Sequence, residues 1–236
     1  MIVLSTALAV VLFALPMAAT AAAPLPFGDG EALHYTIIWP SGLDLGEATM
    51  TATRDEGSGQ WSFDFKLDAA VPGYHIKDHY HSTATAELCS IEFLKESNHG
   101  KRKTSERTTF DQQAHRAHRV TLTKGGGESD LETPECARDA LTFLYYLRQE
   151  LSLGRIPASP KVLFGSLYDV KFQPAGSKKV RVGGKIVEAD QMMVSVKGPA
   201  SESMFILLVA RDKAHTPVRI TVPLEPGNFT MRLAQE

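Results

Sequence analysis

The feature that most constrains this chain is an alternation of apolar and polar residues that recurs along most of its length. The clearest run lies at 60–68, where the apolar residues are Trp61, Phe63, Phe65 and Leu67. Polar residues fill the positions between them, and similar runs lie at 218–222 and 228–233. Because successive side chains of a strand point to opposite faces, the pattern predicts strands with one buried and one wet face.

Short segments rich in glycine separate these runs. Residues 56–59, 98–100 and 183–184 have the composition of hairpin turns, in which Gly and Asn accept a positive φ. The runs recur about every 10 residues, which indicates about 11–13 strands. The sequence therefore predicts a mainly β fold over a single domain at 24–236, with a curved antiparallel sheet that forms a half-barrel or barrel. A sandwich is the alternative arrangement.

One segment breaks the alternation and predicts a helix over 134–150. Thr133 is the expected N-cap, Pro134 suits the first helical position, and Gly154 ends the segment. The helix is apolar on nearly every side over 141–147. A helix of this kind is buried on most sides, and a flat sheet covers only one side. We therefore expect the sheet to wrap the helix, or the helix to plug the open end of the sheet.

The first residues have the features of a secretion signal. An apolar run is followed by small residues with A-x-A spacing at Ala19/Ala21 and Ala21/Ala23, which predicts a cleaved signal peptide at 1–23. An uncleaved anchor is the alternative. No Cys follows the apolar run closely enough to carry a lipid anchor, and the run is short for a membrane span. We expect a periplasmic or secreted protein with no stable membrane span after cleavage.

The chain contains two cysteines, Cys89 and Cys136. In an oxidising compartment such a pair more often forms a disulfide than two free thiols. The sequence therefore predicts a disulfide, which supports the interpretation of an exported chain. The alternative is two buried thiols that do not meet.

Charge and motif content argue against several classes of function. The net charge of −2 is close to neutral, which disfavours a nucleic-acid-binding protein. The sequence has no H-E-x-x-H, C-x-x-C or G-x-S-x-G pattern of the kind that marks metal sites and nucleophile elbows. We expect no enzyme activity, no catalytic residues, no metal and no cofactor. A hydrolase would need a cluster of titratable groups in one cleft.

Two polar groups have competing interpretations. His75, His79 and His81 share one face of a strand, and this spacing suits either a metal site or a solvated face, of which we favour the second. The basic run at 101–107 suits either contact with anionic headgroups or glycans, or protection of the sheet against aggregation, and we favour protection.

A series of motifs resembles a known family. The motifs are Glu31-x-Leu33-x-Tyr35, Gly46, Tyr74-x-Ile76-x-Asp78 with Ser82, Cys89, Phe110-Asp111, Arg138-Asp139-Ala140-Leu141 and Tyr145-Tyr146-Leu147-Arg148. Over about 27–235 they are similar to secreted bacterial cell-envelope proteins classed only as a domain of unknown function. The resemblance implies a fold and no reaction. More distantly, the curved sheet with an apolar helix is similar to the periplasmic half-barrel lipoprotein carriers.

These observations favour a non-enzymatic binding module for an apolar or lipid-like ligand, such as an acyl chain. The expected ligand-binding residues are the aromatic side chains of the concave interior: Trp61, Phe63, Phe65, Tyr145 and Phe229. The alternative function is an envelope scaffold or accessory protein, which would act through surface contacts with a partner protein or glycan.

Overall fold

The computed structural model of the protein describes residues 24–71, 73–224 and 227–235, and the signal peptide expected at 1–23 lies outside these ranges. The strands that precede the helix are β1 (Glu31–Ile38), β2 (Asp44–Arg54), β3 (Trp61–Val71), β4 (Tyr74–Ala84), β5 (Ser90–His99), β6 (Arg102–Asp111), β7 (Arg116–Thr121), β8 (Glu128–Glu132) and β9 (Arg138–Asp139). Helix α1 (Ala140–Ser152) follows. The remaining strands are β10 (Lys161–Leu163), β11 (Leu167–Val182), β12 (Lys185–Lys197), β13 (Glu202–Ala210), β14 (Pro217–Leu224) and β15 (Gly227–Gln235).

The strands form one large sheet, which confirms the predicted mainly β fold. The order is β8-β7-β6-β5-β4-β3-β2-β1-β15-β14-β13-β12-β11-β10-β9, so β1 and β15 meet near the middle while β8 and β9 lie at the two edges. Neighbouring strands are antiparallel except β9 and β10, which are parallel. The described residues form fifteen strands, more than the 11–13 expected. Strands β8, β9 and β10 have five, two and three residues and are too short for alternation to mark them.

The sheet is curved, because strands far apart in its order touch each other through the β10–β11 turn. The Phe164 ring lies 5.4 Å from the Tyr80 ring and 6.0 Å from the Phe93 ring, on β4 and β5. The Arg119 guanidinium on β7 donates to the carbonyl of Gly165 in the same turn. These contacts bring the β10 side of the sheet over the β4–β7 side and enclose a concave interior.

Helix α1 begins later than the sequence predicts. Thr133 and Pro134 lie outside it, and the N-cap is Asp139, whose Oδ1 accepts from the backbone N–H groups of Leu141 (2.9 Å) and Thr142 (3.0 Å). The preceding residues instead form a turn at Cys136 and strand β9. Pairing of β9 with β10 and the cysteine crosslink hold this segment extended, so tertiary contacts override the N-terminal helix signals.

Cys89 and Cys136 form the predicted disulfide, with their Cα atoms 4.8 Å apart. It joins the β4–β5 turn to the segment that leads into α1 and closes a loop of 47 residues in sequence separation. In the chain-entropy treatment a loop of this length contributes about 4 kcal/mol to stability. The disulfide is compatible with an exported protein. Among the described residues, no helix is both long enough and apolar enough to span a membrane.

Gly46 in β2 occupies a position that no other residue could take without rearrangement. Its φ is 145°, and a Cβ built on it would lie 2.1 Å from the backbone oxygen of Asp68 on β3. The β1–β2 register shifts beside it, between Ile37 and Ile38. This glycine therefore permits a bulge in β2 while that strand stays close to β3.

Candidate functional site: an apolar groove beside helix α1

Helix α1 divides the concave interior into two compartments with different contents. Leu141 and Tyr145 belong to a large cluster that includes the aromatic residues of β3 and extends over much of the sheet, whereas Phe143 and Leu147 belong to a second cluster built on β10–β13. All four side chains are buried. The helix is therefore apolar on both sides because it is covered on both sides, as the sequence predicts.

The first compartment, which we call the aromatic compartment, is filled by stacked rings. The Phe63 and Tyr145 rings are nearly parallel with centroids 4.0 Å apart, and Phe27 packs edge-on against Tyr145 (4.9 Å) and Trp61 (5.0 Å). Phe63 is fully buried and Trp61 is 3% exposed. Offset and edge-on ring pairs add about 0.5–1.5 kcal/mol each beyond the area that they bury. This compartment is a packed part of the core.

A buried ion pair closes the base of the aromatic compartment. The Arg148 guanidinium donates two parallel hydrogen bonds to Glu31, from Nη1 to Oε2 (2.6 Å) and from Nη2 to Oε1 (2.7 Å). Its Nε donates to the carbonyl of Ala214 in the β13–β14 loop (3.0 Å). Arg148 is 1% exposed and lies 5.1 Å from the Phe27 ring centroid. These contacts join α1 to β1 and to the β13–β14 loop.

A buried carboxylate fixes the other end of the helix. Besides capping α1, Asp139 accepts through Oδ2 from the hydroxyls of Ser82 (2.6 Å), Ser90 (2.5 Å) and Thr142 (2.9 Å). Asp139 is fully buried. Ser82 lies in β4 and Ser90 begins β5, so one side chain ties the helix start to two strands.

The second compartment, which we call the groove, is open. It has a volume of about 440 Å³ and lies between α1 and strands β10–β14. The helix contributes Ala140, Phe143, Leu144 and Leu147 to its wall. The sheet contributes mostly aliphatic and aromatic side chains, among them Val170, Phe172, Val194, Val196, Phe205 and Leu207. Among the described residues no acidic or basic side chain lines the groove, and its polar groups are the hydroxyls of Tyr168, Ser201 and Ser203.

The groove reaches one end of the strands, which we call the mouth end. The β1–β2, β3–β4, β5–β6, β7–β8, β10–β11 and β12–β13 turns all lie there, because alternate turns of an antiparallel sheet share an end. Phe164, Tyr168 and Ser201 line the groove at these turns. Helix α1 crosses near the opposite end, where Arg148 contacts Ala214. The helix therefore lies towards the end of the groove that is opposite the mouth end.

The ligand-binding residues expected from the sequence lie outside the lining of this groove. Trp61, Phe63 and Tyr145 form the aromatic compartment. Phe65 packs on Tyr80 with centroids 5.4 Å apart, and Phe229 packs edge-on against Trp39 at 4.8 Å. All five side chains are buried or half-buried in the interior, as expected, but other residues border the open space.

The groove residues that sequence analysis missed carry a weaker signal. Phe172, Val194 and Leu207 occupy alternate positions of β11–β13, as core residues also do. Alternation identifies their face of the sheet but does not reveal that α1 leaves space above them.

The outer face of β3 and β4 carries a polar cluster. The Asp64 carboxylate is hydrogen-bonded through Oδ1 to His79 Nε2 (2.9 Å). Its other oxygen, Oδ2, lies 3.2 Å from His81 Nδ1. Ser62 Oγ lies 3.5 Å from His81 Nε2. The hydrogen bond with His81 is the main cause that holds the Asp64 pKa at about 2, and the same bond raises the His81 pKa.

This cluster has the order of groups found in a nucleophilic triad but not the surroundings of one. Strand β3 pairs with β2 and β4 on both sides, so its backbone N–H groups at Ser62 are engaged in the ladder and form no oxyanion hole. Among the described residues, no group of three or more His, Cys, Asp and Glu side chains is arranged to hold a metal ion.

Comparisons with known proteins agree with this fold. The profile of a family described as "Protein of unknown function (DUF3108)" matches residues 33–234, and the chain therefore belongs to that family. The chain is also similar in structure to a beta-barrel-like protein of domain of unknown function DUF1849 from Brucella abortus, with a TM-score of 0.62 and 7% sequence identity. That match covers 86% of this chain and 95% of the other. No curated protein matches the chain.

Proposed function

We propose that this member of the DUF3108 family is a non-enzymatic binding module that holds an apolar, lipid-like ligand in the groove. The observation that carries the proposal is the open apolar space of about 440 Å³ between α1 and β10–β14. Sites for small molecules commonly enclose about 300–1,000 Å³ and combine apolar walls with a few polar groups. The hydroxyls of Ser201 and Ser203 provide such groups near the mouth.

The chemistry of the wall favours an acyl chain over a polar ligand. Among the described lining residues no charged group is available to pair with a charged ligand. Burial of about fourteen methylene groups contributes roughly 11 kcal/mol. Association costs at least about 4 kcal/mol, so the tightest dissociation constant that this estimate allows is in the micromolar range.

We place this module in the periplasm or outside the cell. The signal-like sequence at 1–23 and the Cys89–Cys136 disulfide support this location. Mass measurement of the protein from an envelope fraction tests it, because cleavage after Ala21 or Ala23 gives a defined mass. Recovery of the full-length, reduced chain from the cytoplasm would contradict it.

The binding proposal is tested by filling the groove. Val196 is half-buried and lines the groove near its mouth. We expect Val196→Trp to reduce the affinity of delipidated protein for a fluorescent fatty-acid probe at least about tenfold, because the indole occupies the site. Ile186→Trp is the matched control on the same strand, since Ile186 is 67% exposed and lies at the opposite end of β12.

The control should bind the probe as the unmodified protein does. Absence of probe binding to the delipidated parent protein, or equal binding by both tryptophan variants, would overturn the proposal. Mass spectrometry of lipids extracted from the protein as purified gives an independent check.

A further inference from the structure

The mouth end of the sheet carries a cluster of exposed basic and apolar side chains, which we call the basic rim. Its members are Tyr74, Lys101, Arg102, Lys103, Leu122 and Lys124. They belong to three successive hairpins, β3–β4, β5–β6 and β7–β8. At about 4.8 Å between neighbouring strands, the hairpins span roughly 20 Å along the end of the sheet. The basic rim therefore lies towards the same end of the strands as the β10–β11 and β12–β13 turns, which contribute Phe164 and Ser201 to the groove lining.

Hydrogen bonds fix the three hairpins to each other. The Gly100 N–H donates to the His75 carbonyl (2.7 Å), and the Leu122 N–H donates to the Ser105 carbonyl (2.7 Å). The Tyr74 ring packs on Gly100, where an added Cβ would lie 2.9 Å from the ring. These contacts hold the three hairpins of the basic rim together, and they place the Tyr74 ring beside Gly100, the residue before Lys101.

The two apolar members of the basic rim are both exposed to solvent. Tyr74 is 44% exposed and Leu122 is 49% exposed, although the alternation in β4 places Tyr74 on the core side. Tyrosine suits the boundary between lipid and water, because its ring is apolar and its hydroxyl is polar. Leucine beside such residues supplies apolar area that can enter a bilayer surface.

Its basic members are available to bind an anionic surface. Lys101, Arg102, Lys103 and Lys124 are exposed, and none of them forms an ion pair with a described residue. The neighbouring acid Glu128 already approaches His118 (3.7 Å). Clusters of basic residues bind anionic headgroups, and each contributes about fivefold to partitioning onto an anionic bilayer.

We propose that the basic rim docks the protein on an anionic lipid surface, so that the ligand passes between that surface and the groove. This inference rests on the proposed function for the identity of the ligand. The bilayer face next to the basic rim would also face the groove opening, since Phe164, Tyr168 and Ser201 lie at the same end of the strands. The ligand could then enter without crossing bulk water.

Two sets of three charge reversals test whether the basic rim docks on anionic lipid. Lys101→Glu/Arg102→Glu/Lys103→Glu alters the basic rim, and Lys178→Glu/Lys179→Glu/Lys185→Glu alters the β11–β12 hairpin at the opposite end. The control lysines are also exposed. Both variants therefore change the net charge equally. Cosedimentation is measured without added ligand, on vesicles of phosphatidylcholine mixed with phosphatidylglycerol and on vesicles of phosphatidylcholine alone.

We expect the parent protein to prefer the anionic vesicles, the rim variant to lose at least about 30-fold in partitioning, and the control variant to change less than about threefold. Equal losses in both variants, or no preference of the parent for anionic vesicles, would overturn the inference. Tyr74→Ser/Leu122→Ser should weaken partitioning and leave its salt dependence unchanged. Probe binding in solution by the rim variant checks its fold and separates failure of docking from failure of the groove.

Discussion

The two sides of helix α1 are covered by the same kinds of side chain but differ in how completely they are packed. On the β1–β5 side, the Phe63 and Tyr145 rings stack at 4.0 Å, and a buried ion pair lies beneath them. On the β10–β14 side, Phe143 and Leu147 border an open groove of about 440 Å³. One side of the helix therefore belongs to the packed core, and the other side forms part of the wall of the groove.

The polar anchors of the helix and the open space beside it lie on opposite sides of α1. Asp139 and Arg148 anchor α1 near its two ends to strands β1, β4 and β5, all on the aromatic side. On the groove side the helix packs through Phe143 and Leu147 on β10–β13, where no comparable polar anchor is seen among the described contacts. A binding site on a rigid element keeps its shape when empty.

The largest effect on stability is expected when the ion pair between Arg148 and Glu31 is removed. We expect Arg148→Ala to lower the free energy of unfolding by about 3–5 kcal/mol, because Glu31 loses its partner inside the protein. Arg155→Ala is the matched control, since Arg155 pairs with Glu150 but its side chain is 60% exposed. Urea unfolding should show a much smaller change for the control, because solvent screens an exposed ion pair. Equal effects would show that burial of the Arg148 pair is unimportant.

A second test compares a ring on each side of the helix. Phe63→Ala should lower the free energy of unfolding by about 4 kcal/mol, because it leaves a cavity among packed rings. Phe172→Ala, on the groove wall and half-buried, should cost about 1 kcal/mol and also weaken binding of a fatty-acid probe. Urea unfolding and probe titration on both variants measure these effects. Similar losses of stability would mean that the groove is closed in solution.

The smallest effect concerns pH. The His81 pKa is raised by Asp64, so this pair stabilises the fold below the ordinary His pKa, and the contribution disappears as the pH rises through the raised value. The lowered pKa of Asp64 stabilises the fold at pH values above 3.8, the ordinary pKa of the group. This stabilisation is lost as the pH falls towards about 2. Since the Asp64 side chain is one-third exposed, we expect the pair to contribute about 1 kcal/mol in all to the free energy of unfolding.

This contribution acts on β3, behind the aromatic compartment, so probe affinity should stay constant between about pH 5 and 8. NMR titration of His81 in the parent and in Asp64→Asn provides the measurement. The substitution should return the His81 pKa towards its ordinary value. An unchanged His81 titration would show that Asp64 does not control it.

Much of the fold follows from the sequence because its signals are local. The alternation at 60–68 predicts β3, and the apolar run at 141–147 predicts a helix covered on several sides. The cap at Asp139 depends on Ser82 and Ser90, which are 57 and 49 positions away, so the local signals at Thr133 and Pro134 misplace the helix start.

The site follows less well, because an aromatic residue in an alternating strand signals burial but not whether the space beside it is filled. Trp61 and Phe63 give the strongest pattern and lie in the packed compartment. Phe172 and Val194 give a weaker pattern and line the groove. The difference is set by the path of α1, which long-range contacts determine.

The pairing of β1 with β15 has a consequence for the order in which the protein can assemble. Tyr35 and Leu233 are partners although they are about 200 positions apart in sequence. The hairpins on either side can form early, but joining them requires closure of this very long loop, which makes it a slow step. Strand pairing between the two halves of the sheet therefore has to wait until β15 is available.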